Sequence, residues 1–118
     1  MLLRLDFSID TPIYQQIRNQ IVRGIAAGEL ASGQQLPTIR ALAADCGVNM
    51  MTVSKAYALL KQEGYIETDR RCGTTIRAKS PSALPDAVRE SLILSLSEAK
   101  AAGASESEIL ALVKEVFQ

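Results

Sequence analysis

Histidine and tryptophan are absent from this 118-residue sequence, aromatic residues make up only 4%, and cysteine occurs twice, at Cys46 and Cys72. Each scarcity excludes something. Without histidine there is no Ser-His-Asp triad and no imidazole general base. Two thiols cannot complete the roughly four ligands of a structural zinc site, so no metal is expected. A disulfide scaffold of this size needs more cysteines, which points to a reducing compartment. No apolar run approaches the roughly 20 residues of a membrane-spanning helix, so no membrane partner is expected. The opening Met1-Leu2-Leu3-Arg4-Leu5-Asp6 has no basic cap leading into an apolar stretch. No secretory signal is therefore expected, and the expected location is cytoplasmic. There is no glycine-rich phosphate loop and no carboxylate pair in a recognisable pocket context, so neither an enzyme nor a cofactor is expected. Glu63 and Glu67 are four apart but straddle Gly64, where a helix should end, and both read as surface charges.

What is present fits a folded domain: 47% hydrophobic and 22% charged residues. The formal net charge is zero, but it is unevenly distributed. Residues 1–79 hold ten basic against seven acidic side chains, a net of +3, and residues 80–118 hold three against six, a net of −3. The front part can meet a polyanion if its cations cluster, and the back part reads as a separate solvated unit.

Local signals divide the chain into helices, a hairpin and a tail. Thr11 reads as the N-cap of a first helix with Pro12 at its first position. Ile13, Ile17, Ile21 and Ile25 recur every four residues, so this helix should run to about Ala27 and stop at Gly28. Leu36 before Pro37 suits a short extended piece. Thr38 can cap a second helix, Ile39 to about Cys46, and Asn49 a third, Met50 to about Glu63, with Gly47 between them. Tyr65-Ile66-Glu67-Thr68 and Thr74-Thr75-Ile76-Arg77 flank a glycine-containing loop and read as a β-hairpin. Ser80-Pro81-Ser82-Ala83-Leu84-Pro85 reads as a linker. A helix over about Pro85–Ala102 and a last helix behind the capping box Ser105-Glu106-Ser107-Glu108 complete the chain.

The second and third helices have the spacing of a helix-turn-helix. Such a crossing needs a small residue in the first helix, a glycine in the turn and apolar side chains gripping from the second. Ala43 stands four residues before Gly47, with Leu42 and Cys46 adding apolar surface. Val48 and Val53 follow the glycine, and Ala56, Tyr57 and Leu60 continue the buried face. The hairpin with Arg70 and Arg71 at its tip supplies a wing. The expected class is therefore mainly α with a small β-hairpin. A winged helix-turn-helix DNA-binding domain, residues 1–79, should be followed by a short helical dimerisation region, residues 80–118.

The sequence resembles the GntR family of bacterial transcription regulators, in particular its short YtrA-like branch. The resemblance is carried by Thr11-Pro12-Ile13-Tyr14-Gln15-Gln16-Ile17 and by Gly33-Gln34-Gln35-Leu36-Pro37-Thr38-Ile39-Arg40-Ala41-Leu42-Ala43. It continues through Gly47-Val48-Asn49, Thr52-Val53-Ser54-Lys55-Ala56-Tyr57, Glu63-Gly64-Tyr65-Ile66 and Gly73-Thr74, and covers about residues 6–78. Arg40 matches the family's second-helix arginine. Met50-Met51, Cys72 and Thr75 depart from the residues usual there, which bears on the operator sequence and not on the binding mode. The resemblance implies a repressor.

The candidate contacts follow from groove chemistry. The third helix, about residues 50–63, should enter the major groove. Met50 and Met51 can meet thymine methyls, or one of them can fill core. Thr52 and Ser54 can bond phosphates or bases, and Lys55 and Arg40 suit phosphate or guanine. Thr38 and Asn49, at the starts of their helices, are counted with them. Arg70, Arg71 and Gly73 form the tip of the wing, about residues 65–78. There arginine suits a narrow minor groove and glycine permits a close backbone approach. Cys72 reads as a bystander thiol in that tip rather than a redox switch, and Cys46 as a small buried apolar residue. In the tail, Val88, Leu92 and Leu96, then Ile109, Leu112, Val113, Val116 and Phe117, form apolar stripes that need a partner. The simplest partner is a second copy, giving a homodimer on a near-palindromic double-stranded operator. Thirty-nine residues after Lys79 are too few for a dedicated effector domain, so any small-molecule effector stays unknown. The competing class is a winged-helix protein-interaction scaffold, in which Arg40, Lys55, Arg70 and Arg71 would have no purpose.

Overall fold

A computed structural model describes residues 3–77 and 84–118. The chain divides into two compact units, Met1–Lys79 and Ser80–Gln118. Ala78, Lys79 and most of the expected linker, Ser80–Ala83, lie outside the described residues.

The first unit is a winged helix-turn-helix of three helices, α1 (Ile13–Ala26), α2 (Ile39–Cys46) and α3 (Met50–Gln62), and two strands, β1 (Ile66–Asp69) and β2 (Gly73–Ile76). The isoleucine stripe makes α1 an inner helix: Ile17, Ile21 and Ile25 are buried and Ile13 is half-buried. They meet Leu42 and Ala43 from α2, Val53, Ala56, Tyr57 and Leu60 from α3, and Ile66 and Ile76 from the hairpin in one core. The first cap differs from expectation by one residue. Pro12, not Thr11, is the N-cap, with extended backbone (φ −56°, ψ 148°). The Thr11 carbonyl instead accepts from Gln16 Nε2 at 2.9 Å. Gln16 is buried and fully bonded, because its amide also pairs with the Asp6 backbone at 2.8 Å in both directions. It holds the N-terminal segment against α1 much as a strand neighbour would.

At the turn between α2 and α3, Gly47 has φ 68° and ψ 35°, the left-handed region that a side chain enters only at a cost. This lets the Val48 N–H return to the Ala43 carbonyl at 3.0 Å and starts α3 in a new direction. Thr38 and Asn49 cap as expected, accepting from Ala41 N at 3.1 Å and Met51 N at 2.7 Å. Cys46 corrects its expectation: it is half-buried, not buried, and partial desolvation raises its thiol pKa.

The hairpin pairs Ile66 with Ile76 and Asp69 with Gly73 in antiparallel register. A third extended piece joins it. Leu36 N donates to Thr74 O at 2.8 Å and Ile76 N to Gln34 O at 2.9 Å, flanking a bridge between Gln35 and Thr75. The wing is thus stitched to the segment that leads into α2.

Tyr57 locks α3 to that segment, its hydroxyl donating to the Pro37 carbonyl at 2.8 Å. Burial, aided by the nearby Cys46, raises its pKa from 10.0 to about 12. The folded state therefore keeps a proton that the unfolded chain loses, so this contribution is whole below pH 10 and falls away between pH 10 and about 12. Wild-type protein should lose urea resistance across that window. Tyr57→Phe should be less stable at neutral pH by about 0.5–1.5 kcal/mol and should show a shallower alkaline decline. Parallel alkaline declines in the two proteins would contradict this.

The second unit holds α4 (Asp86–Ala101) and α5 (Glu106–Phe117), joined by a turn at Gly103. Pro85, the expected first residue, is instead the N-cap, so α4 begins one residue later at Asp86, and it ends at Ala101 rather than Ala102. Ser105 accepts from Glu108 N at 3.2 Å, the forward half of the expected capping box. Neither helix has a buried residue.

Candidate nucleic-acid interface

The helix-turn-helix presents two helix starts to solvent. Thr38 and Arg40 open α2, and Asn49, Met50, Met51, Thr52, Ser54 and Lys55 open α3. All are exposed except Thr52, which is half-buried. The two methionines resolve in an unexpected way. Met51 is 79% exposed and Met50 46%, so neither is core filling. Thr38 and Asn49 use a side-chain oxygen on their own helices, and the Asn49 amide nitrogen remains able to donate.

At the wing tip, Asp69 Oδ1 accepts from Arg71 N at 2.7 Å, a turn closed by the aspartate's own side chain. Gly73, with φ 70°, ends the loop in the left-handed region, where an added Cβ would stand 3.4 Å from Gln35 Nε2. The loop therefore presents Arg70 and Arg71 on a tight, braced tip. Both side chains are exposed, as is Cys72.

The electrostatics separate structural cations from available ones. Arg18 is engaged: its Nε and one terminal nitrogen donate to both Glu63 oxygens at 2.8 and 2.9 Å. Its guanidinium also lies 5.7 Å from the Tyr65 ring centroid. Hydrogen bonding to Glu63 raises the Arg18 pKa still further. Glu63 is thus half of an ion pair tying α1 to the end of α3, which corrects its reading as a free surface charge. Among the described residues this is the only salt bridge. Arg40, Lys55, Arg70 and Arg71 have no carboxylate partner there.

Helix dipoles follow the same division. The first turns of α2 and α3 hold no acidic residue, whereas α4 begins with Asp86 and α5 holds Glu106 and Glu108. A helix start favours negative charge. The tail helices supply it themselves, and those of the helix-turn-helix leave the place open to a phosphate.

Two residues that sequence reasoning did not place at a DNA-facing surface join this one, Ile13 having been read only as part of the core stripe of α1. Tyr14 and Ile13, from the start of α1, line one shallow cleft with Met51, Thr52 and Lys55. The Lys55 ammonium stands 4.1 Å from the Tyr14 ring centroid. The isoleucine stripe drew attention to the inner face of α1, and nothing local signals what its outer face meets.

The stripes assigned to a partner are open. Val88 (40%), Leu92 (48%), Leu96 (45%), Leu112, Val113, Val116 and Phe117 (85%) are exposed, and Ile109 is half-buried. Ile93, Leu94 and Leu110 are exposed as well, so the apolar surface is broader than the expected stripes. Among the described residues no helix is long and apolar enough to cross a membrane, and no cluster of ligating side chains could hold a metal ion.

Comparison with known proteins agrees with this geometry. The family model described as bacterial regulatory proteins, gntR family, matches residues 13–76. The HTH-type transcriptional repressor YtrA of Bacillus subtilis is 34% identical over 98% of this chain and 92% of its own length. The chain spans 66% of the length of a second relative, and 30% and 17% of two others. The solved structure of YtrA from Sulfolobus acidocaldarius, a GntR-family transcription factor, superposes with a TM-score of 0.72 at 38% identity, covering 86% of this chain and 99% of that one. The AraR DNA-binding domain in complex with operator ORR3 superposes with a TM-score of 0.53 at 26% identity, covering 64% of this chain and 92% of that one.

Proposed function

The chain belongs to the GntR family of bacterial regulatory proteins and is a DNA-binding transcriptional regulator rather than an enzyme, and from that premise we propose that it is a cytoplasmic repressor acting as a homodimer on a near-palindromic operator. α3 lies in the major groove, where Met50 and Met51 meet thymine methyls and Thr52, Ser54 and Lys55 meet bases or phosphates. Arg40 and the starts of α2 and α3 meet phosphates, and Arg70 and Arg71 reach the adjoining minor groove. The observation that carries this reading is that Arg40, Lys55, Arg70 and Arg71, set on the helix-turn-helix and wing, are exposed and have no carboxylate partner among the described residues. Exposed cations placed at helix starts and a hairpin tip suit a regular row of phosphates. The exposed apolar faces of α4 and α5 support the homodimer, because an uncovered stripe on a helix calls for a partner and two copies can cover each other. The name of the Bacillus subtilis relative supports repression.

The test is selection of bound duplexes from a random-sequence pool at stated salt, followed by transcription in vitro from a promoter carrying the selected site. Two related half-sites in opposite orientation and lower transcript yield are expected. Direct repeats or unrelated sequences would remove the two-fold arrangement, and a raised yield would remove repression.

Arg71→Ala should weaken binding to the selected duplex. It should also flatten the plot of log affinity against log salt, by about 0.9 for one lost phosphate contact. If both stay unchanged, the wing is not a contact.

A further inference from the structure

The geometry points to Tyr14 as a positioning residue for DNA binding that acts through Lys55; this rests on the reading of α3 as the recognition helix. Lys55 lies about one helical turn beyond Met51 and Thr52, on the exposed side of α3. It has no carboxylate partner among the described residues, yet its ammonium is not loose. It stands 4.1 Å from the centroid of the Tyr14 ring, well within the roughly 6 Å reach of a cation–π contact.

The ring is a firm support. Tyr14 is the second residue of α1, half-buried and packed against the core. The Lys55 ammonium stands over the face of this ring rather than at its edge. Tyr14 and Lys55 also line two clefts together. One contains Pro12, Ile13, Met51 and Thr52, and the other Gln15, Ala58, Leu59 and Gln62. The pair is therefore shared between the two clefts, with Lys55 exposed.

A lysine has a flexible four-carbon stem and loses rotamer freedom when it engages a phosphate. One already held over a ring has lost part of that freedom in the free protein, so binding costs it less. Tyr14 thereby presents the Lys55 charge to the DNA backbone from a set place. Meeting part of the ordering cost of one such side chain before binding is worth a roughly two- to fivefold change in affinity.

The test is a double-mutant cycle on the full chain, using a duplex recovered from the random pool. Tyr14→Leu should weaken binding roughly two- to fivefold when Lys55 is present and leave it unchanged when Lys55 is methionine. Tyr14→Phe keeps the ring and should retain most of the affinity. In the free wild-type protein, the Lys55 ε-methylene protons should resonate upfield from ring current, and Tyr14→Leu should abolish the shift. Several results would overturn the inference: equal losses from Tyr14→Leu in both backgrounds, a loss in Tyr14→Phe as large as in Tyr14→Leu, or no upfield shift in the wild type. The last stands even if Tyr14→Leu does not fold. If the pool yields no bound duplex, the recognition-helix reading falls and takes the inference with it. A bound duplex with additive mutational effects removes the inference alone.

Discussion

Glutamate at both Leu92 and Leu96 should lower operator affinity by roughly 10²- to 10⁴-fold while the winged unit keeps its fold. The two leucines are 48% and 45% exposed, and α4 buries none of its residues within the chain, so charge placed there disturbs no core. Under the proposed two-fold assembly, each of these side chains, about half of it still open, contributes about 0.7–1.5 kcal/mol toward association when a second copy covers it. Two desolvated carboxylates per chain would reverse that balance. A monomer grips one half-site and loses the effective concentration that the first recognition helix gives the second. Sedimentation velocity at micromolar protein should show the change from dimer to monomer, and titration of the selected duplex should show the loss. A variant that still sediments as a dimer, or binds with wild-type affinity, would place the interface elsewhere.

The largest effect on folding is expected from Ile21→Ala. Ile21 has no exposed surface and sits in the core, on the helix that packs against α3. Removing its branched side chain loses transfer free energy and leaves a cavity, at a cost of roughly 2–5 kcal/mol. For a unit of this size the midpoint of thermal unfolding should fall by about 4–8 °C per kcal/mol. Met51→Ala is the contrast. Met51 is 79% exposed on α3, so its loss should change stability by no more than about 0.5 kcal/mol. Urea unfolding at one fixed protein concentration compares the two, since assembly would otherwise enter the midpoint. Equal midpoints would mean that the isoleucine stripe does not face the core.

The two substitutions also mark how far the sequence can be read. The Ile17, Ile21, Ile25 stripe is a period of the chain itself, and a helix with such a stripe has one way to hide it. The caps at Thr38, Asn49 and Ser105 are similarly local: each side chain bonds a backbone N–H two or three residues away. Thr11 is where local reasoning fails. Its carbonyl is claimed by Gln16, whose amide is drawn inward by the Asp6 backbone, and the helix begins one residue later. Met50 and Met51 escape for a different reason. Periodicity allows one of them to face inward, and it is the packing of α3 against α1 and α2 that leaves both exposed.

The sequence by itself determined the order of elements, the fold class, the core face of α1 and the residues from which a DNA surface could be built. Each of these is written in spacing over a few positions, which backbone geometry converts directly into faces, caps and turns. Tertiary structure alone decided which charges are bound and which are available. Arg18 meets Glu63 across 45 residues of chain, and Lys55 meets Tyr14 from another helix. Such meetings depend on the angle and depth at which helices cross. Those are set by how all the core side chains pack at once, and no short stretch of sequence contains them.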